Sequence, residues 1–104
     1  MNKFFNFYSL IKRSGNLIEG YSKCNDFRNK IKLHLFIIST DVSEKSKSKF
    51  VKHCEANEIP YIYDFTKEEL GSPIGRPEVK IVAIDNEKMA SKLFSLYKEE
   101  FPKI

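Results

Sequence analysis

Cysteine, histidine, glycine and proline are all scarce in this sequence, at two, two, four and four residues in 104. The two cysteines, Cys24 and Cys54, form no CxxC pair, and with two histidines lacking ligand spacing they make no metal-binding pattern. Both are expected to be reduced and buried. His53 stands next to Cys54, but neighbours on a helix point about 100° apart, so the two do not form a nucleophile–base pair. His34 interrupts an apolar run and reads as a core or sheet-edge histidine. With so few glycines there is no GxGxxG or P-loop, and Gly71-Ser72-Pro73-Ile74-Gly75 is short and broken by proline. These absences argue against an enzyme, a cofactor, a metal or a small-molecule substrate. No apolar run approaches a membrane span, and the start Met1-Asn2-Lys3-Phe4-Phe5 lacks a secretory pattern, so a cytoplasmic location is expected. Repeats, linkers and low-complexity tracts are missing too, and residues 1–104 read as a single domain.

The informative stretch is Leu33 to Ile38, apolar except for His34 and followed by the polar turn Ser39-Thr40-Asp41. A strand greasy on both faces is covered on both, as in a parallel sheet between helix layers. The expected fold is therefore α/β: a three-layer α/β/α sandwich around a mixed, mostly parallel sheet of about four strands.

The remaining elements follow from periodicity. Asn2 caps a helix whose stripe is Phe4, Phe7, Tyr8 and Ile11, ended by Ser14-Gly15. Asn16 to Glu19 is a short edge strand. Gly20 opens a second helix with Cys24, Phe27 and Ile31 near one face, and its free N–H groups could receive an anion. Asp41 with Glu44 resembles a capping box for a helix burying Phe50, Val51 and Cys54 and showing lysines to water. Ile59-Pro60 leads into the strand Tyr61–Tyr63. Thr66 and Glu69 form a second capping box, with Phe65 and Leu70 as its hydrophobic staple. Gly71 weakens or ends that helix, Glu78 to Asp85 makes a further strand, and Met89, Ala90, Leu93, Phe94 and Tyr97 stripe the last helix.

Charge is unevenly spread. Residues 1–53 hold 11 Lys+Arg against 4 Asp+Glu, net +7, whereas residues 54–104 are net −3. Such clustering raises the local potential and suits a polyanion, although solvated lysines alone also produce it.

Three segments in order carry a resemblance: Arg13-Ser14-Gly15-Asn16-Leu17-Ile18-Glu19-Gly20, then Ile59 to Tyr63, then Thr66 to Gly71 with Ile74-Gly75. Together, and with the interval from Gly20 to Asp41, they resemble the ribosomal L7Ae/L30e/S12e/Gadd45 superfamily of small RNA-binding proteins. The likeness is closest to its short bacterial YlxQ-like members and runs from about Phe4 to Leu96. It implies RNA as the partner, ribosomal or otherwise structured, with the ribosome itself as one setting. Residues placed at the RNA by this resemblance and by their charge are Lys12, Arg13, Gly20, Ser22, Lys23, Lys30, Ile74, Gly75 and Arg76. Members that bind kink-turn RNA follow the glycine with x-Asn-Glu, whose side chains read purine edges. Here Gly20 is followed by Tyr21-Ser22-Lys23, so a hydroxyl and an ammonium stand at the base-reading positions. Backbone contacts through Gly20, Lys23 and Arg76 remain open, because phosphates need charge rather than an edge code. The competing reading is a protein-interaction scaffold that kept the fold and lost RNA binding.

Overall fold

The computed structural model describes residues 2–102; Met1, Lys103 and Ile104, included in the expected domain span, lie outside the described residues. The chain runs α1 (Lys3–Arg13), β1 (Leu17–Glu19), α2 (Tyr21–Phe27), β2 (Leu35–Ile38), α3 (Glu44–Ala56), β3 (Tyr61–Ile62), α4 (Lys67–Gly71), a 3-10 turn (Ser72–Ile74), β4 (Ile81–Ile84) and α5 (Glu87–Glu100). The sheet order is β1-β4-β2-β3. Every residue of the two central strands is buried, so the doubly apolar run does lie mid-sheet. Alternation sends the side chains to opposite faces. Leu35, Ile37, Val82 and Ile84 join α1, α4 and α5 around Phe4, Tyr8, Leu70 and Leu93. Phe36, Ile38, Ile81 and Ala83 join α2 and α3 around Cys24, Phe50 and Cys54. Helices cover both faces, and the layers are α/β/α.

The sheet is mixed and four-stranded, but it is not mostly parallel. Among the described residues only β2 and β3 pair parallel, through the α3 crossover; β1–β4 and β2–β4 are antiparallel. Double burial reported the helices above and below the strand, and says nothing of strand direction. The chain leaves β3, makes α4 and the 3-10 turn, and re-enters the sheet from the opposite end as β4.

Local chemistry explains most boundaries. The Asn2 side chain accepts from Phe5 N–H and caps α1. In α4 both arms of the capping box are closed: Glu69 N–H donates to Thr66 Oγ1 at 3.1 Å, and Thr66 N–H donates to Glu69 Oε1 at 2.8 Å. Thr66→Ala should therefore cost about 1 kcal/mol without altering any ligand affinity; equal urea midpoints for variant and parent would contradict this cap. The capping box expected from Asp41 and Glu44 does not form. Ser43, not Asp41, caps α3 by accepting from Ser46 N–H. Asp41 instead accepts from Lys67 N–H at 3.0 Å, tying the end of β2 to the start of α4. The helix after Gly20 also stops earlier than its apolar spacing suggests. It ends at Phe27, Ile31 is 42% exposed, and Leu33 supplies the buried anchor before β2. Both thiols are free and buried, Cys24 in α2 and Cys54 in α3, and burial pushes each up to about 12.

Candidate nucleic-acid interface

Gly20 is where the site begins. Its φ of +93° and ψ of 163° lie in a region open essentially to glycine, and this turns the chain from β1 directly into α2. Its N–H donates to the Ile81 carbonyl at 2.8 Å, so Gly20 contributes conformation and not a free anion donor. The sharp turn sets Tyr21, Ser22 and Lys23 beside the end of α1 and the loop after the 3-10 turn. Together Lys12, Leu17, Glu19, Gly20, Tyr21, Ser22, Lys23 and Arg76 line one concavity of about 470 Å³.

Three cations, Lys12, Lys23 and Arg76, come from α1, α2 and the Gly75–Pro77 loop. One carboxylate sits among them. Glu19 at the end of β1 pairs with the Lys12 ammonium, and its other oxygen lies 3.2 Å from Arg76 Nη1. Glu19 is 12% exposed and its two partners are about two-fifths exposed, so the anion lies beneath and the cations face water. Tyr21, exposed by 42%, stands at the rim with its hydroxyl accepting from Lys49 Nζ at 2.7 Å and its ring edge against Phe50. The arrangement can hold phosphate oxygens; the Tyr21 ring beside them is already covered by Lys49 Nζ, 5.1 Å from its centroid.

The loop that carries Arg76 is held by close backbone packing. Gly71 is buried, and a Cβ there would lie 2.7–2.8 Å from backbone atoms of Arg76 and Glu78. This proximity lets Arg76 N–H donate to the Gly71 carbonyl at 3.0 Å. Gly75, at φ +78°, caps the 3-10 turn in the left-handed region.

Of the residues read from sequence, Lys12, Gly20, Ser22, Lys23 and Arg76 meet in this concavity. Gly75 sits exposed next to Arg76, while Ile74 is 9% exposed and belongs to the core. Arg13 does not join them: one helical step from Lys12, it lines a separate groove with Phe7 and Leu10. Lys30 lies in the turn beyond the far end of α2, which is shorter than expected. Sequence reasoning missed Glu19 and Tyr21. The order aromatic-after-glycine was visible; the pairing of Glu19 with a residue 57 positions away was not. Among the described residues no group of three or more His, Cys, Asp or Glu could hold a metal ion.

Comparison with known proteins bears on the same segments. Residues 3–94 match the ribosomal protein L7Ae/L30e/S12e/Gadd45 family. The chain belongs to that family. Among solved structures, a protein with unknown function from Bacillus halodurans superposes with a TM-score of 0.86 at 23% identity, over 92% of this chain and 97% of that one. A Giardia lamblia 15.5kD RNA binding protein gives a TM-score of 0.69 at 17% identity, over 88% of this chain and 85% of that one. No curated protein matches in sequence. At these identities the structures share the fold.

Proposed function

We propose that this chain binds structured RNA through the Lys12–Lys23–Arg76 concavity, reading backbone charge and shape rather than base edges. Family membership supports RNA as the ligand class, and the Giardia protein of the same fold is described as RNA binding. The observation that carries the site is the convergence of three cations from three elements on one cavity. Ser22 and Lys23 supply one hydroxyl and one ammonium where kink-turn readers of the family have an amide and a carboxylate, so phosphate contact dominates. The role is non-enzymatic, and the setting we propose is the cytoplasm, with ribosomal or other folded RNA as partner. No helix among the described residues is long and apolar enough to cross a membrane.

Lys23→Glu tests this. It places an anion at a phosphate position and also restores the residue type of the kink-turn readers. Binding to a duplex, a hairpin and a kink-turn RNA should all weaken by about tenfold at low salt, to similar extents. Tighter binding to the kink-turn alone would keep the surface and replace charge readout by base readout. No change with any RNA would remove the surface, and the interaction-scaffold reading would take its place.

A further inference from the structure

A second concave surface lies on the seam of α1 and α5, away from the cations of the RNA concavity. The two helices run antiparallel. The Lys3 and Phe4 N–H groups donate to the Glu100 carboxylate at one end, and Ser14 Oγ lies 3.6 Å from Met89 Sδ at the other. Along the seam Phe7, Leu10 and Leu96 form the floor of a groove of about 360 Å³, with Lys3, Arg13 and Lys92 around it and Asn6 as its other polar residue. Leu10 is 43% exposed in the middle of a helix that otherwise buries Phe4, Tyr8 and Ile11. Phe7 belongs to the expected core stripe of α1, yet it is only half-buried. Among the described residues no carboxylate lines the groove, and Glu100 is taken up by the α1 amides.

We infer that this groove docks an acidic amphipathic helix of a partner protein, with its apolar side chains on Phe7, Leu10 and Leu96 and its carboxylates on Lys3, Arg13 and Lys92. Charge complementarity selects this occupant. A second copy would bring the same cations face to face, which costs association. RNA finds no open stacking surface, because Phe7 is the one aromatic residue lining the groove and Lys92 Nζ already covers its ring at 4.7 Å from the centroid. A groove between two antiparallel helices accepts a third helix through anchors at i, i+3/i+4 and i+7. The surface is separate from the RNA concavity, so one chain could join a folded RNA to an acidic protein segment.

The test uses the full chain and two fluorescein-labelled peptides of equal composition. One is an amphipathic helix with a leucine stripe flanked by glutamates; the other is a scramble that destroys the stripe. Polarisation should show the striped peptide binding at least about tenfold tighter than the scramble, with Leu10→Asp and Lys92→Glu each removing about tenfold. Both side chains are exposed, and unchanged circular dichroism would show that the variants fold. RNA affinity should be unaffected by either. Equal binding of stripe and scramble, or insensitivity to Leu10→Asp, would overturn the proposal. Loss of RNA affinity in Lys92→Glu would assign the groove to RNA instead. Concentration-dependent dimerisation abolished by Leu10→Asp would assign it to a second copy.

Discussion

Replacing Gly71 by alanine is expected to destabilise the protein by about 2 kcal/mol, and to weaken RNA binding with it. The residue has helical dihedrals, φ −82° and ψ −45°, so alanine should be favoured there by roughly 1 kcal/mol on conformational grounds. Against that stands contact at 2.7 Å with Glu78 Cα and 2.8 Å with Glu78 N and Arg76 O, all backbone atoms. No side-chain rotation relieves it. The segment that moves is the one carrying Arg76, whose N–H bonds to the Gly71 carbonyl and whose guanidinium pairs with Glu19. Gly75→Ala makes the comparison. It has open space but φ +78°, so it should cost only about 1 kcal/mol through the left-handed conformation. Urea denaturation of both variants checks the order. A Gly71→Ala protein as stable as its parent would mean that α4 does not press against the Arg76–Glu78 segment.

The second large effect runs the other way. Glu19→Gln should tighten RNA binding by about tenfold at low salt, because it frees Lys12 and Arg76 to neutralise phosphates. In the free protein one partly buried carboxylate holds both cations, and a phosphate must compete with it. Glutamine keeps the size and polarity of the side chain but takes away the charge. Filter binding of parent and variant to one hairpin RNA decides it. Weaker binding by Glu19→Gln would show that the carboxylate chiefly positions the cations, and unchanged binding would put both cations outside the interface.

Much of this architecture was legible from the chain because the signals were local. Caps at Asn2 and Thr66 and the stripes of α1 and α5 depend on neighbours within a turn or two; the structure bears out both caps and buries Phe4, Tyr8, Ile11, Ala90, Leu93 and Tyr97, but leaves Phe7, Met89 and Phe94 partly exposed. Strand direction was not legible: Leu35–Ile38 and Ile81–Ile84 are buried on both faces whichever way they pair. Asp41 was misassigned for a related reason. A carboxylate before a helix fits a cap, but the α4 amide of Lys67, 26 residues on, receives it. At the candidate site, Gly20, Lys23 and Arg76 were readable through the family resemblance, and the concavity brings them together. Arg13 could have been set apart from Lys12 by helical phase alone. Glu19, which governs the charge of the site, could not have been assigned its role, since both its partners reach it through the fold.

The salt dependence of affinity for a single structured RNA tests the central claim most directly. Three cations meeting phosphates release their counterions, so log K against log salt concentration should fall with a slope of about −2 to −3, and Lys23→Glu should make it shallower by about one. A slope near zero, or a slope that Lys23→Glu leaves unchanged, would contradict an RNA surface built on the Lys12–Lys23–Arg76 concavity.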